Sequence, residues 1–495
     1  MVIAAPPLDY GALAPLLIVL AGAGIALLLD LVIPPARRAW LGYFAAGTAV
    51  VALVAATPLW RGERLAFSNM VAIDRFGVFV SVVILAATAL SILLAIDFLD
   101  DQGLNYGEYY PLVLMSAAGM LLLAVANDLI VLFLGLEVLS IGLYILCGFA
   151  RGRVDSEEAA LKYFLLGSFA LGFLVYGTSL VYGAAGTTNF AALAAFVAGN
   201  GAALHDPLLL AGVALILVGL AFKLALVPFH MWTPDVYYGA PTPVTAFMSV
   251  GTKVATFAAL ARLVVGGVPG LRDDWARILW SLAIITMLAG NLAAVTQRNI
   301  KRLLAYSSIG QAGYILVAVI AAASPRPEVR DEALSGILFY LLAYTFMNLG
   351  AFAVAIALAR PGDERLDFDT GYAGLARRRP WLAAAMTVFM LSLGGVPPTA
   401  GFMAKVFVFR AAIDAGYWQL ALVGVLTSVL ALAFYLRVIV MMYTRDPARP
   451  DEAPGRVPAT VAVVLAVCVV LTLAFGILPA GALDLTSAAL AAGVP

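Results

Sequence analysis

Long apolar runs, separated by short polar segments, recur along the whole chain. A helix needs about 20 apolar residues to cross the hydrocarbon core of a bilayer. Runs of that length lie near residues 11–33, 39–57, 75–96, 110–126, 129–149, 157–183, 207–229, 242–265, 275–295, 300–322, 333–359, 380–414, 417–443 and 457–480. The pattern therefore predicts an all-α polytopic membrane protein with about 14 transmembrane helices.

Two of these runs are interrupted by proline. The run at 207–229 contains Pro228, and the run at 380–414, too long for one straight span, contains "GGVPPTAG" with Pro397 and Pro398. Proline removes a backbone donor and breaks or kinks a helix. One broken helix in each half of the chain is the pattern expected of an inverted-repeat transporter core.

The composition agrees with a polytopic membrane protein and excludes several other kinds of protein and site. The chain is 63% hydrophobic and 12% charged, with zero formal net charge and a mean hydropathy of +1.01. Zero net charge gives no reason to expect nucleic acid as a partner. Cys147 and Cys468 alone cannot form an iron–sulfur cluster, a cysteine zinc site or a disulfide framework. The first apolar run follows no basic segment, so we expect a retained helix rather than a cleaved signal.

The basic residues favour one orientation. With the N-terminus outside, the loops on the inner side carry 16 Lys and Arg residues and those on the outer side carry 9. Positive residues concentrate on the cytoplasmic side of membrane proteins. We therefore expect a multi-pass protein of a bacterial inner membrane with both termini outside; the Ala/Gly/Arg-rich usage and the lack of a basic targeting segment favour a bacterium.

The lysines and arginines are sorted differently along the chain. All 24 arginines fall in loops or near span ends, as does Lys301, which counts with the inner loops, whereas the other four lysines fall deeper inside apolar runs: Lys162, Lys223, Lys253 and Lys405. A desolvated lysine can release its proton near neutral pH, whereas arginine stays charged. Each charged lysine at mid-bilayer costs roughly 2.5–3.5 kcal/mol on insertion scales, so these residues are functional candidates.

One carboxylate lies comparably deep. Glu137 follows Asp128 by nine residues, about 13 Å along a helix. A single carboxylate cannot neutralise four ammonium groups. Some of the lysines must therefore be neutral part of the time or line water.

Other polar residues allow two interpretations each. Lys162 lies near a helix start and either snorkels to the surface or belongs to the buried set. His230, seven residues after Lys223, is either a hydrogen-bonded core histidine or part of the same polar chain. The hydroxyls of Tyr435 and of "YSS" at 306–308 either extend a relay or bond backbone carbonyls. The chain contains no nucleotide-binding motif.

Several segments resemble the antiporter-like membrane subunits of respiratory complex I: "GLEVLSIGLYILCGF", "EEAALKYFLLG", "FKLALVPFHMWTPDVYYGAPTPVTAF", "KRLLAYSSIGQAGY" and "GGVPPTAGFMAKVFVF". The resemblance runs from about residue 75 to 445. It implies fourteen helices, with two inverted five-helix repeats, each containing a broken helix. The expected division is an N-terminal three-helix segment (1–109), the repeats (110–265 and 275–443), and a C-terminal helix with a short tail (457–495).

The resemblance also implies roles for individual residues. Glu137 and Lys223 match the pair that the family treats as a charge switch. Lys253 matches the lysine of the eighth helix, and Lys405 matches the titratable residue of the broken twelfth helix. Lys162 and His230 match positions of the subunit N group. A lysine at 405 and the short segment after the last span make the chain most similar to that group.

The implied function is proton translocation as a subunit of NADH:quinone oxidoreductase, a translocase, with no redox catalysis by this chain alone. No cofactor or metal is expected in this chain, whereas FMN, iron–sulfur clusters and quinone are expected in partner subunits. The expected partners are the M-like, K-like and J-like subunits of the membrane arm, together with the lipid bilayer. Three alternatives remain: a subunit of an Mrp-type cation/proton antiporter, a subunit of a membrane-bound hydrogenase, and a structural module whose polar residues bind internal water.

Overall fold

The computed structural model describes residues 9–364, 366–446 and 456–490, which form nineteen α-helices and one small hairpin. The first ten helices are α1 (Ala14–Asp30), α2 (Ala39–Ala56), α3 (Arg75–Asp101), α4 (Tyr109–Ala124), α5 (Leu129–Cys147), α6 (Val154–Ala185), α7 (Phe190–Gly199), α8 (Pro207–Leu224), α9 (Trp232–Gly239) and α10 (Thr242–Arg262). The others are α11 (Arg272–Val295), α12 (Ile300–Ala321), α13 (Pro327–Leu358), α14 (Leu375–Arg378), α15 (Pro380–Gly394), α16 (Ala400–Asp414), α17 (Trp418–Thr444), α18 (Ala459–Ile477) and α19 (Ala480–Ala488). Strands β1 (Arg64–Ala66) and β2 (Val71–Ile73) pair antiparallel between α2 and α3.

The apolar runs of the sequence coincide with these helices. Twelve helices of the described residues are long and apolar enough to cross a membrane, and α4, α7 and α15 are shorter apolar helices. The prediction of an all-α polytopic membrane protein is therefore confirmed. The prediction that both termini lie outside concerns residues 1–8 and 491–495, which are not among the described residues.

Both proline-containing runs are broken in the same way. Helix α8 ends at Leu224, and Ala225 follows in the left-handed conformation with φ 58°. Helix α15 ends at Gly394, and Gly395 follows with φ 83°. A cis peptide precedes Pro228 in the first break, and another joins the two prolines of the second. The chain becomes helical again in α9 and α16. Each break therefore leaves the last carbonyls of the preceding helix available to donors outside that helix.

The bundle has an enclosed centre and an apolar outer layer. Every residue of α10 is buried, and α12 and α13 are nearly as enclosed. Helices α1, α2, α6, α11 and α17 instead carry many exposed large apolar side chains, as expected for a surface that faces lipid or other apolar protein. A lysine on α10 therefore cannot reach the surface by extending its side chain.

A buried ion pair joins α3 to α10. Asp74 caps α3 by accepting a hydrogen bond from the Gly77 amide at 2.6 Å, and both its oxygens accept from Arg262, at 2.8 and 2.5 Å. The Arg262 side chain is 1% exposed, and its Nε also donates to the Ala124 carbonyl at 3.0 Å. The pair therefore holds the ends of α3, α4 and α10 together.

We expect Arg262→Leu to destabilise the protein by about 3–5 kcal/mol, because Asp74 would remain as a buried carboxylate without a counter-ion. The double variant Asp74→Asn with Arg262→Leu removes both charges and keeps a side chain that caps α3. It should lose less stability than the single variant. Thermal unfolding of the purified, detergent-solubilised protein measures both changes, and equal losses would contradict the role of the ion pair.

Candidate functional site

Lys223 lies in the last turn of α8, directly before the first break, and is 6% exposed. Its Nζ lies 4.7 Å from the centre of the Tyr163 ring and 5.1 Å from that of Tyr144. The same Nζ donates to the Tyr163 hydroxyl at 3.4 Å. Aromatic faces and a helix C-terminus both stabilise a cation. The ammonium form can therefore exist here without a carboxylate in contact.

Glu137 lies on α5, partly buried, and its Oε2 is enclosed without a hydrogen-bond donor among the described residues. No ion pair between described residues joins the Glu137 and Lys223 side chains directly. The pairing of Glu137 with Lys223 that the resemblance implies therefore stays a prediction.

Lys253 lies in the middle of α10 and is 2% exposed. Its Nζ donates to the Ser308 carbonyl at 2.7 Å and to the Leu224 carbonyl at 3.3 Å. The second acceptor is the last residue of α8, so the first break supplies an acceptor to Lys253 rather than to Lys223. Aromatic rings, rather than freed carbonyls, therefore surround the lysine directly before the first break.

Lys405 lies on α16 and is 5% exposed. Its Nζ donates to the carbonyls of Leu393 and Gly394, at 3.2 and 3.1 Å, and lies 4.7 Å from the centre of the Tyr314 ring. These two carbonyls belong to the last residues of α15. In both halves, then, the C-terminal carbonyls of the first half-helix bind a lysine ammonium, where the partial negative charge of a helix end is located.

A band of hydroxyl and amide groups lies between Lys253 and Lys405. The Ser307 hydroxyl, next to the Ser308 carbonyl that binds Lys253, is hydrogen-bonded to the Tyr435 hydroxyl. The Gln311 amide donates to Tyr435 at 3.3 Å and to the Leu393 carbonyl at 3.0 Å. The Leu393 carbonyl in turn binds Lys405. Tyr435 therefore belongs to a hydrogen-bonded chain that runs from Ser307 through Gln311 to the Leu393 carbonyl at the second break.

Lys162 and His230 are placed differently. Lys162 is 39% exposed and pairs with Glu158 at 2.6 Å and with Asp235 at 2.7 Å. Asp235 also pairs with Arg302 at 3.1 Å. His230 lies half-buried in the turn between α8 and α9, and no hydrogen bond between described residues joins its ring to a lysine. The structure thus separates Lys162 from the enclosed lysines.

Lys301, rather than Lys162, is the further buried lysine. The sequence places this lysine in a loop on the inner side, yet its side chain is fully buried at the start of α12. Its Nζ donates to the Ala240 carbonyl at 2.5 Å and lies 3.4 Å from Glu364 Oε2. Loop position is a poor guide here, because Glu364, which lies in the loop after α13, packs against the Lys301 side chain.

Gln311 and Glu364 are further residues that the sequence did not single out. Gln311 lies eleven residues into a predicted span, and a polar side chain at that depth is a usable signal. Glu364 lies in an ordinary polar loop, "RPGDERLD", with no such signal. Among the described residues, no group of three or more His, Cys, Asp or Glu side chains is arranged to hold a metal ion.

Comparison with known proteins gives consistent matches. A family model described as NADH:quinone oxidoreductase/Mrp antiporter, transmembrane, matches residues 126–431. "NADH-quinone oxidoreductase subunit N" of Chloroflexus aggregans is 48% identical over 96% of each chain. A chain of respiratory complex I from Thermus thermophilus with bound aureothin is 35% identical, with a TM-score of 0.78 over 95% of this chain and 98% of its own. A chain of the Mrp complex from Dietzia sp. is 26% identical, with a TM-score of 0.81 over 97% of each chain.

Proposed function

The chain belongs to the family of NADH-quinone oxidoreductase subunit N, and we propose that its enclosed lysines carry the protons that complex I moves across the membrane. It is an antiporter-like membrane subunit of a translocase, and other complex I subunits are its partners. One observation carries the proposed role. Lys223, Lys253 and Lys405 are each at most 6% exposed, and within the described part of the chain they bind only carbonyls, a hydroxyl or aromatic rings. A buried ammonium without a counter-ion is poised to lose its proton.

The proposed sequence of steps starts at Glu137. While Glu137 is ionised and close, its charge favours the protonated form of Lys223. Weakening that interaction releases the proton toward Lys253, with His230 and water assisting across the break. The proton then passes along the Ser307, Tyr435 and Gln311 band to Lys405 and leaves on the outer side. Redox chemistry in partner subunits supplies the energy through conformational or electrostatic coupling.

An Mrp-type antiporter subunit is the main competing function. The fold alone does not separate the two, because the Mrp subunit is as similar in structure as the complex I subunit. The sequence separates them, since the relatives named subunit N are far more similar in identity. The three enclosed lysines argue against a purely structural module, because a module that only binds internal water does not need a titratable amine at these positions.

The proposed architecture has fourteen crossings and two inverted repeats. The twelve long helices, together with α4 and with the broken pair α15 and α16 counted as a single crossing, support this number. Corresponding features support the repeats: Leu224 and Gly394 end the broken helices 170 positions apart. Asp128 and Asn299, which cap the N-termini of α5 and α12, lie 171 positions apart, and each forms an isolated bridge to a later loop. The proposed units are 1–109, 110–265, 275–443 and 457–495.

The proposed setting is a bacterial inner membrane with both termini outside, which follows from the distribution of basic residues. FMN, iron–sulfur clusters and quinone are then supplied by partner subunits. Within the membrane arm we propose M-like, K-like and J-like neighbours. Glu137 on α5 is partly buried, whereas Lys223, Lys253 and Lys405 are buried.

Purification of the native complex through a tag on this chain tests the proposed setting. We expect flavin, iron–sulfur clusters and NADH:quinone reductase activity to co-purify with the chain. Recovery of small antiporter subunits without flavin would favour the Mrp-type function instead. Inverted membrane vesicles that contain the complex then allow proton pumping to be measured for each variant.

Tyr435→Phe tests the polar band. Loss of the hydroxyl breaks the connection between Ser307 and Gln311. We expect the pumping rate to fall several-fold, which is less than the roughly 10²–10⁴-fold contribution of a positioned proton-transfer group. Tyr443→Phe is the matched control, because Tyr443 lies two turns later on α17 and is 46% exposed. Equal pumping by the two variants would remove Tyr435 from the route.

A further inference from the structure

A buried carboxylate separates a polar cavity from Lys301 at one end of the bundle. The Glu364 side chain is 4% exposed. Its Oε1 accepts a hydrogen bond from Arg153, and its Oε2 accepts from the Thr242 hydroxyl and lies 3.4 Å from the Lys301 Nζ. One oxygen thus faces a partly exposed cation and the other faces a fully enclosed one.

The cavity on the Arg153 side has a volume of about 480 Å³. Its lining includes Gln102, Tyr238 and Asn299 together with Arg153 and Glu364. A polar space of this size accommodates many water molecules. It lies where α6, α10 and α12 begin, which is the inner side of the membrane in the proposed orientation. Glu364 is therefore the group through which this space meets the interior.

Helix α12 connects the region around Glu364 with the lysines of the site. Lys301 and Ser308 are seven residues apart, so they lie on the same face of α12, about 10.5 Å apart along its axis. The Ser308 carbonyl binds the Lys253 ammonium at 2.7 Å. The Ala240 carbonyl that binds Lys301 lies just before α10, the helix that carries Lys253.

From this arrangement we infer that Glu364 is the proton-uptake residue of the inner side and that Lys301 is the first amine to receive the proton. A hydronium ion in the cavity protonates the Glu364 carboxylate. The resulting carboxylic acid gives that proton to the neutral amine of Lys301, which leaves a carboxylate and an ammonium. The proton then continues along α12 to Lys253. This inference rests on the proposed function and names residues that its route from Glu137 does not use.

The charges around Glu364 make the transfer conditional. Burial tends to raise the pKa of Glu364, but Lys301 and Arg153 outweigh it and hold the pKa below its usual range. A protonated Lys301 therefore keeps Glu364 ionised. Once Lys301 has passed its proton on, one of the two cations is gone, and the protonated carboxyl is less disfavoured than before. Glu364 therefore reloads more readily when Lys301 is neutral.

The test compares Glu364→Gln, which cannot carry a proton, with Glu364→Asp, which can. In inverted vesicles with equal amounts of assembled complex, we expect Glu364→Gln to pump about tenfold more slowly. That is less than the roughly hundredfold contribution of a positioned acid, because cavity water offers a slower bypass. Glu364→Asp should keep most of the activity. Asp369→Asn is the matched control, an exposed carboxylate of the same segment.

Chemical rescue distinguishes proton transfer from support of the loop. Glu364→Ala leaves space for formate, and formate added to the cavity side should raise uncoupled NADH:quinone reductase activity in this variant but not in the unaltered complex. Normal pumping by Glu364→Gln would overturn the inference. Equal losses in the Gln and Asp variants without formate rescue would also overturn it. If Lys223→Ala is inactive while Glu364→Gln is normal, the inference fails and the proposed function stands.

Discussion

Replacing Lys223 with alanine should abolish most proton pumping by the assembled complex. Lys223 is the enclosed amine that the proposed switch pairs with Glu137, and among the described residues its Nζ contacts Tyr163 and Tyr144 rather than a counter-ion. Without the amine, the charge of Glu137 has no partner to switch. We expect the pumping rate to fall by about a hundredfold, within the range for positioned proton-transfer groups. Acidification of inverted vesicles driven by NADH measures it.

The same substitution should leave folding almost unaffected. Removing a buried charge that lacks an ion pair relieves a desolvation cost and leaves no opposite charge unpaired in direct contact. The complex should therefore assemble in normal amounts, as should the control Leu215→Ala, a side-chain truncation two turns earlier on α8. Near-normal pumping by Lys223→Ala would refute the proposed mechanism, and loss of assembly would assign Lys223 a structural role.

Lys405→Arg should be as damaging to pumping although the positive charge is kept. The guanidinium can donate to the same Leu393 and Gly394 carbonyls and can lie over the Tyr314 ring, so α15 and α16 should keep their arrangement. Arginine does not release its proton under accessible conditions. The last transfer before the outer side therefore stops, and we expect a loss of about a hundredfold in the pumping rate.

Arg410→Lys is the reverse exchange on the same helix and serves as the control. Arg410 lies five residues after Lys405, is 67% exposed and pairs with Glu332 at 3.1 Å. A lysine there keeps the charge at the surface, and pumping should stay near normal. If Lys405→Arg pumps as well as Arg410→Lys, proton release by Lys405 is not part of the mechanism.

The positions of the spans and of both breaks could be predicted from the sequence because they depend on local properties. Apolar length decides whether a helix crosses a bilayer, and proline decides where it breaks. The helix starting at Ala39 and the one starting at Ile300 begin where their apolar runs begin. The burial of Lys253 and Lys405 could also be predicted from the sequence, since both residues lie far from any predicted span end.

Lys162 and Lys301 show where local reasoning stopped. Both lie near helix starts, and the sequence assigned the first to a span and the second to a loop. The structure exposes Lys162 beside Glu158 and Asp235, and it encloses Lys301 beneath Glu364. The difference depends on which loop covers which helix end, and Glu364 lies 63 positions away from Lys301 in the sequence.

The sequence by itself determined the helices, their interruptions and the identity of the titratable groups, because hydropathy and backbone chemistry act over a few turns. Only the tertiary structure decided the partners: that the Leu224 carbonyl binds Lys253, that Tyr163 and Tyr144 surround Lys223, and that Gln311 connects Tyr435 to the second break. Such contacts join side chains from helices far apart in the chain. Their geometry is set by the packing of the whole bundle, which no short stretch of residues encodes.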